Sequence, residues 1–309
     1  MRSTRMFAKL AALAAVATLS LTACGGGSDA QAGKPLAADI KTVRIGVTDA
    51  AESYWQVYKD EVKKQLGIEV VYTNFSDYNQ PNPALAEGEL ELNEFQHLQY
   101  LANYNNKQSQ DLQPIGATAV YPLPLYSTKH QSVEEIPQGG KIAIPNDAVN
   151  MARALGVLSD AGLVKLNTAA STTLTAANVD KDASKVEVVV VDAKQTAQQV
   201  RDLDGAVVNN NFATAAKLPE SDIIAQDEPD SAVAKPYINI FVARAADKDN
   251  ETLKKLVAIY HEPAVEEAVR KDLGGRAIFK SNTPQDLQDE LAKIQKDLKD
   301  AEEEEKAAK

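Results

Sequence analysis

The sequence predicts an α/β protein with mainly parallel sheets. Two observations support this prediction. Short apolar, strand-like segments alternate with segments of helical spacing along most of the chain, which is the pattern of strand–helix–strand units. In addition, residues 186–191 form a run of β-branched valines that contains one other residue, Glu187, and such a run is typical of a strand that is covered on both faces.

The predicted elements follow one another in order. Residues 43–47 form the first strand, and residues 51–65 form a helix that ends at Gly67. Further strands are predicted at residues 69–72, 141–144, 186–191, 206–208 and 237–242, and further helices at residues 147–161, 253–260 and 264–273. In open α/β sheets, ligands bind at the carboxyl ends of strands, so polar residues just after these strands are candidates for a site.

The pattern changes after Ile278. Thr283 and Pro284 are a good helix start, because threonine caps a helix and proline fits its first turn. Apolar residues then recur at spacings of four, three and four, at Leu287, Leu291, Ile294 and Leu298. This narrow stripe predicts one amphipathic helix that packs on the protein's own surface, with a coiled-coil seam as the alternative. Residues 302–305 predict an acidic, frayed tail.

The N-terminal segment has the order of a secretory signal peptide, with basic residues before and within an apolar stretch over about residues 6–21. That stretch is shorter than the roughly 20 residues that span a bilayer. Residues 21–24, Leu-Thr-Ala-Cys, resemble a bacterial lipobox. The resemblance implies removal of residues 1–23, acylation of Cys24 and a lipid anchor on the extracytoplasmic side of the cell membrane. A simple signal peptide or one spanning helix is the alternative, and residues 24–40 are expected to be a flexible tether.

Composition excludes several classes of function. Residues 1–23 carry three positive charges and no acid, so the net charge of −11 becomes −14 without them. Such an acidic surface repels phosphate backbones, so nucleic acid is not an expected partner. An acylated Cys24 leaves no free thiol, which excludes disulfides, thiol catalysis and cysteine-ligated zinc.

Catalytic and metal motifs are weak. His130 and His261 lie in polar, exposed contexts and receive no role. Glu94 and His97 are three residues apart, which on a helix would put two metal ligands on one face, but a structural metal needs about four ligands. The chain has no Gly-x-Ser-x-Gly elbow and no glycine-rich phosphate loop. We therefore expect no metal, no cofactor and no enzymatic activity.

Several polar residues are suited to holding a small zwitterion. Asn150 and Arg153 are three apart at the start of a helix that follows a strand, so they lie on one side of it. Arginine holds a carboxylate with two parallel hydrogen bonds, although a solvated surface arginine is the alternative. Asn209 follows a buried strand, and Asn239 lies inside an apolar strand, where it must be paired by a ligand or by backbone.

Aromatic residues could form the wall of such a site. Tyr78, Phe95 and Tyr121 lie near predicted loops. Aromatic walls suit an aliphatic or thioether side chain, since sulfur makes a favourable contact at a ring edge. Each of these residues, taken singly, is more often part of a core.

Together these segments resemble the methionine-binding lipoproteins of ABC importers, the NlpA-type family of solute-binding proteins. The resemblance keeps its order and spacing from about Val43 to Ile278. The matching segments are residues 75–78 with Pro81-Asn82, residues 93–97, residues 120–122, residues 144–147 with Asn150 and Arg153, residues 206–209, and residues 236–239.

The resemblance implies two lobes of the type II periplasmic-binding-protein fold, joined by two crossover strands, with an amino acid in the cleft between them. Residues 41–125 with 235–281 would form lobe 1, residues 126–234 lobe 2, and residues 282–309 an added helix and tail without a family role. The implied partners are a small-molecule ligand and an ABC permease in the membrane, and the protein would be a monomer.

Carried over residue by residue, the resemblance gives each candidate a role. Arg153, helped by Asn150, would pair with the ligand carboxylate, and Asn209 and Asn239 would hold its α-amino and carboxylate groups. The side chain would lie among Tyr78, Phe95 and Tyr121, with His97 near the thioether. L-methionine, D-methionine, methionyl dipeptides and another amino acid remain open as ligands, and a cell-surface hydrolase or adhesin is the less favoured function.

Asn210-Asn211-Phe212 departs from the family pattern, where relatives more often have small hydroxyl residues and a tyrosine. The departure obscures which of the three amides faces the cleft. We choose Asn209 because it follows the strand directly.

Overall fold

The computed structural model describes residues 35–37, 39–169, 171–229 and 232–307. The predicted signal peptide of residues 1–23 and the predicted lipid attachment at Cys24 lie outside these residues. In the described part, the chain forms two α/β lobes, each built on its own five-stranded sheet.

The strands and helices are as follows in chain order. The strands are β1 (Thr42–Val47), β2 (Glu69–Asn74), β3 (Leu92–His97), β4 (Leu112–Ala117), β5 (Ala119–Val120), β6 (Pro124–Tyr126), β7 (Gly140–Pro145), β8 (Lys165–Leu166), β9 (Val179–Asp180), β10 (Val186–Val191), β11 (Gly205–Val207), β12 (Ile223–Gln226), β13 (Asn239–Arg244) and β14 (Ile278–Phe279). The helices are α1 (Ser53–Leu66), α2 (Pro81–Ala86), α3 (Leu98–Gln108), α4 (Ala148–Asp160), α5 (Thr196–Asp202), α6 (Asn210–Ala215), α7 (Glu251–Tyr260), α8 (Pro263–Asp272) and α9 (Pro284–Ala307).

The two sheets have the same plan. Their strand orders are β2-β1-β3-β13-β4 and β10-β7-β11-β6-β12. In the first sheet, β13 runs antiparallel to both of its neighbours, and in the second β6 does the same. The other four strands of each sheet run in one direction, which agrees with the predicted mainly parallel class. The chain passes from the first sheet to the second between β4 and β6, and returns between β12 and β13.

The core of the first lobe is rich in aromatic residues. Tyr54, Trp55 and Tyr58 of α1 are buried against the sheet together with Phe241 and Tyr260. The ring of Trp55 lies edge-on to that of Tyr58, with centroids 5.7 Å apart, a favourable arrangement of two aromatic quadrupoles. This packing fixes α1 directly after β1, at the edge of the sheet where ligands bind in such folds.

The C-terminal helix packs on the protein's own surface, as its apolar stripe predicts. Leu287, Leu291, Ile294 and Leu298 are buried in one cluster with residues of α3, β4 and β13. The Thr283 hydroxyl accepts from the Asp286 backbone N–H at 3.2 Å and donates to the Asp286 carboxylate at 2.7 Å, so the predicted cap is present. The predicted fraying of residues 302–305 is wrong, because α9 continues through them to Ala307.

Two predictions about strands are also corrected. Residues 186–191 form β10, an edge strand that pairs with β7 on one side, and Val190 is 39% exposed, so this strand is not covered on both faces. The strand predicted from residue 237 begins at Asn239 instead, since residues 232–237 form a short 3₁₀ helix that includes Pro236. Proline cannot donate to a strand ladder.

The predicted tether of residues 24–40 is too long at its C-terminal end. Leu36 and Ile40 are buried in the core of the first lobe, and the Leu36 backbone N–H donates to the Asp247 carboxylate at 2.7 Å. None of the helices in the described ranges has both the length and the apolar character needed to cross a membrane.

Candidate functional site

One cavity lies between the two lobes, and it collects residues from both. All eight residues that the sequence singles out line it: Tyr78, Phe95, His97, Tyr121, Asn150, Arg153, Asn209 and Asn239. These residues come from β3, α4 and β13 and from the segments that follow β2, β5 and β11. The topology therefore brings together polar and aromatic groups that are far apart in the sequence.

Arg153 is held firmly at this cavity. Its Nε donates to Asp227 Oδ2 at 2.7 Å and its Nη2 donates to the backbone oxygen of Tyr121 at 2.8 Å. The guanidinium also lies 4.2 Å from the ring centroid of Tyr237, within the range of a cation–π contact. The residue is 9% exposed, so it is not a solvated surface arginine. Its Nη1 has no hydrogen-bond partner among the described residues, which leaves a charged donor available.

A chain of hydrogen bonds fixes the orientation of two amides. Asn150 Nδ2 donates to both carboxylate oxygens of Asp147 at 3.1 Å, because an ionised carboxylate can only accept. Asn150 Oδ1 then accepts from Asn209 Nδ2 at 2.9 Å. Asn209 Oδ1 is left buried and without a partner in the described part of the chain. Buried polar atoms are normally paired, so this oxygen points to a donor supplied by a ligand.

His97 is a neutral side chain at the same end of the cavity. It ends β3 and caps α3, with its Nδ1 accepting from the Tyr100 backbone N–H at 3.2 Å. That hydrogen bond leaves the ring proton on Nε2. Burial, reinforced by the positive charge of Arg153, lowers the pKa of His97 to about 3, and a hydrogen bond to Asn150 opposes this shift.

The metal pair considered from the sequence is not formed. Glu94 and His97 lie on a strand, not on a helix, and they have separate partners: the Glu94 carboxylate accepts from the Thr118 hydroxyl at 2.9 Å. No group of three or more histidine, cysteine or acidic residues within the described ranges could hold a metal ion. His130 and His261 are half-buried instead of exposed, with Nε2 3.0 Å from the Asp204 carboxylate and 2.8 Å from the Ala117 backbone oxygen, respectively.

An aromatic wall forms another side of the cavity. The ring of Tyr78 lies 6.0 Å from that of Phe95 and 5.0 Å from that of Phe212, which belongs to the other lobe. Tyr100 lies 6.0 Å from Tyr78 and completes the group. Phe95 is part of β3 and not of a loop. Tyr121 also lines the cavity, and burial raises its pKa.

Asn239 lines the cavity at the start of β13. Its Nδ2 donates to the Tyr237 backbone oxygen at 3.4 Å, a long hydrogen bond. The sequence left two partners open for this amide, a ligand or the backbone. The structure shows a backbone partner that is held by a weak hydrogen bond. The backbone oxygen of Asn239 accepts from the Thr118 N–H at 2.8 Å, which anchors this residue to the segment that leads into the second lobe.

Sequence reasoning missed a contact across the cavity. Asn211 accepts from the Tyr78 hydroxyl and donates from Nδ2 to Thr48 Oγ1 at 3.2 Å, so it joins lobe 2 to lobe 1. Its place in a run of three asparagines resembles a helix cap, which concealed this role. Asp227 was also missed, because no periodic pattern marks an acid that pairs with an arginine 74 residues away.

A polar cavity between two α/β lobes is the architecture of a solute-binding protein. Residues 43–280 match the NlpA lipoprotein family, and the chain belongs to that family. It is similar to the D-methionine-binding lipoprotein MetQ of Salmonella typhi, with 33% identity over 278 residues that cover 89% of this chain and 97% of that protein. The family expected from the sequence motifs is confirmed.

Solved structures agree with this assignment. The substrate-binding protein of a methionine transporter from Streptococcus pneumoniae is 35% identical with a TM-score of 0.72, over 78% of this chain and 96% of that one. A nutrient-binding protein from Burkholderia cenocepacia, bound to methionine, is also 35% identical, with a TM-score of 0.71 over 77% and 99% of the two chains. The two-lobed fold is thereby established.

Proposed function

We propose that this protein is an extracytoplasmic solute receptor that binds methionine and delivers it to an ABC importer. One observation supports the proposal most strongly: a buried guanidinium with a free donor and a buried amide oxygen with no donor line the same cavity. A free α-amino acid offers both complements, a carboxylate for Arg153 and an ammonium for Asn209 Oδ1. The names of the relatives agree with this ligand.

The remaining candidates would orient and enclose the ligand. Asn150 fixes the amide of Asn209, and Asn239 offers an amide whose present hydrogen bond is long enough to be exchanged for a ligand contact. Tyr78, Phe95 and Tyr121, which line the cavity, would pack on the thioether side chain, since sulfur is attracted to aromatic rings. His97 is neutral, lines the cavity and is hydrogen-bonded to Asn150, so it would contact the ligand without adding charge.

Binding would favour a closed arrangement of the lobes. We take residues 41–125 with 235–281 as one lobe and residues 126–234 as the other, except that all of β6 (Pro124–Tyr126) belongs to the second sheet and therefore to the second lobe. The sheets are linked twice, between β4 and β6 and between β12 and β13. Arg153 and Asn209 belong to lobe 2, whereas Tyr78 and Phe95 belong to lobe 1. Only closure lets both sets touch one small ligand, so the ligand binds the closed form more tightly and shifts the population toward it.

Calorimetry of the purified chain with free amino acids tests the function directly. The panel is L-methionine, D-methionine, a methionyl dipeptide and, as a matched control, L-leucine, which lacks the sulfur. We expect at least one methionine-containing ligand to bind with a Kd below about 100 μM, or roughly −5.5 kcal/mol. If none does, the proposed function is wrong. The same titrations decide the stereochemical preference.

We also propose that Cys24 carries the lipid anchor and that the monomeric protein works at the membrane surface beside its permease. The family to which the chain belongs consists of lipoproteins, which agrees with this proposal. Cell fractionation of the wild type and a Cys24→Ala variant tests it. The variant should leave the membrane fraction, and a variant that stays there would argue against acylation at this residue.

A further inference from the structure

Glu94 is a buried carboxyl group at the cavity for which the proposed function has no use. It lies on β3, lines the cavity and is 7% exposed. One oxygen, Oε1, accepts from the Thr118 hydroxyl at 2.9 Å, whereas Oε2 has no hydrogen-bond partner among the described residues. The backbone N–H of Thr118 also donates to the backbone oxygen of Asn239 at 2.8 Å. Thr118 therefore links the Glu94 carboxyl group to Asn239, whose side-chain amide we propose as a ligand contact.

Among the described residues, the groups that act on the pKa of Glu94 include no cation. Five ionisable groups interact electrostatically with Glu94. They lie in the loop after β1, in α1, in the segment after β5 and in α7: Asp49, Tyr54, Tyr58, Tyr121 and Tyr260. Asp49 is itself an acid that accepts from Tyr54 and Trp55. Burial, with the nearby charge of Asp49, raises the pKa of Glu94 to about 8. Without ligand, Glu94 therefore holds a proton at neutral pH.

Burying an ionised carboxyl group costs free energy unless a cation or a hydrogen-bond donor pairs with it. An isolated buried carboxylate carries a large desolvation cost, and a protein that needed only a hydrogen bond to Thr118 could use an amide. The cavity presents the free oxygen Asn209 Oδ1 and, once Glu94 has lost its proton, the acceptor Glu94 Oε2, together with a free cationic donor in Arg153. The excess of acceptors near Asn239 and Asn209 fits a ligand that brings its own cation.

We propose that Glu94 is a further ligand-contacting residue, which pairs with the α-ammonium group of the bound amino acid and gives up its proton to solvent when the ligand enters. The protonated acid and the ligand ammonium become a carboxylate–ammonium pair and one released proton, so charge and atoms balance. This inference rests on the proposed function, since it requires an amino acid in the cavity. It predicts selection for free amino acids over analogues that lack the ammonium group.

Proton release on binding is the decisive measurement. Methionine is titrated calorimetrically into the full-length protein at pH 7 in phosphate and in Tris, which differ in ionisation enthalpy. The wild type should release close to one proton, and the apparent enthalpy should differ between the buffers accordingly. Glu94→Gln should show no buffer dependence, because its amide keeps the Thr118 hydrogen bond but cannot titrate. Glu89→Gln, at an exposed acid just before β3, is the matched control and should behave as the wild type.

The pH dependence and the ligand series give independent readouts. Between pH 6 and 8 the wild-type Kd should fall by up to about tenfold per pH unit, the limit for one released proton, whereas the Glu94→Gln variant should be nearly flat. Methionine should bind the wild type at least tenfold more tightly than 4-(methylthio)butanoate, which lacks the amino group. Glu94→Gln should narrow that ratio.

The outcomes separate this inference from the proposed function. Wild-type protein that binds no methionine refutes the function. Methionine binding without proton release overturns the role of Glu94 but leaves the proposed function standing. The same holds if proton release persists in Glu94→Gln and disappears in Asp49→Asn. If Glu94→Gln does not fold, the proton count and pH slope of the wild type still decide the question.

Discussion

Replacing Arg153 with alanine is the most informative single perturbation of the site. The side chain is 9% exposed and its Nε and Nη2 are held by Asp227 and by the Tyr121 backbone, so little entropy is lost when it meets a ligand carboxylate. Loss of a buried, charge-assisted partner costs about 2–4 kcal/mol, which corresponds to a roughly 30- to 1,000-fold weaker Kd. We expect Arg153→Ala to weaken methionine binding by that factor.

Calorimetry measures the affinity, and thermal unfolding without ligand shows whether the variant remains folded. Arg201→Ala removes an exposed arginine on α5 in the same lobe and should leave the affinity unchanged. Asp227→Asn should give an intermediate loss, because it weakens the ion pair that orients the guanidinium but keeps the charge. A folded Arg153→Ala protein that binds methionine within threefold of the wild type would refute the assignment of the carboxylate to this residue.

Three further predictions follow from other parts of the structure. Asn211→Ala removes the hydrogen bonds to Tyr78 and Thr48 that join the lobes, and it should raise the dissociation rate of methionine several-fold in stopped-flow fluorescence; an unchanged rate would show that these bonds do not hold the closed form. Leu291→Ala leaves a cavity under α9 and should lower the free energy of unfolding by about 2–5 kcal/mol in urea titrations, a loss that a coiled-coil seam free of the body would not cause. The pKa of His97 is about 3 when folded and near 6.5 when unfolded, so the unfolded chain binds more protons between these values and stability falls with falling pH; His97→Gln should lose less stability than the wild type between pH 7 and pH 4.5.

Local signals in the sequence were enough to place most of the elements. The helix of residues 51–65 is observed as α1, and it ends at Gly67, whose φ of 68° is the left-handed conformation that glycine adopts without strain. The stripe of α9 and its Thr283 cap were also predictable, since both depend on neighbouring residues. The exposure of β10 was not, because it depends on which strand lies beside it in the folded sheet.

The candidate site was predictable where a residue follows a buried strand. Asn209 and Arg153 could be found this way, because parallel strands end at one edge of a sheet and helices begin there. Asn211, Asp227 and Glu94 could not, since their roles come from contacts with distant segments: Asn211 reaches across to the first lobe, and Asp227 lies on the return to it. The short helix before Asn239 was not predictable either. An apolar strand pattern takes no account of Pro236, which has no backbone N–H to donate to a neighbouring strand.

The polar groups of the cavity explain why a zwitterion should be favoured over a neutral or singly charged ligand. Asp147 fixes Asn150, and Asn150 in turn fixes Asn209, so the free amide oxygen is oriented before any ligand arrives. Asp227 does the same for Arg153. A ligand that lacks its carboxylate leaves a buried guanidinium donor unpaired, and one that lacks its ammonium leaves buried acceptors unpaired. Since unpaired buried polar groups cost more than paired ones gain, we expect the site to discriminate mainly by what the wrong ligand fails to satisfy, and tight binding to require both ends of one small molecule at once.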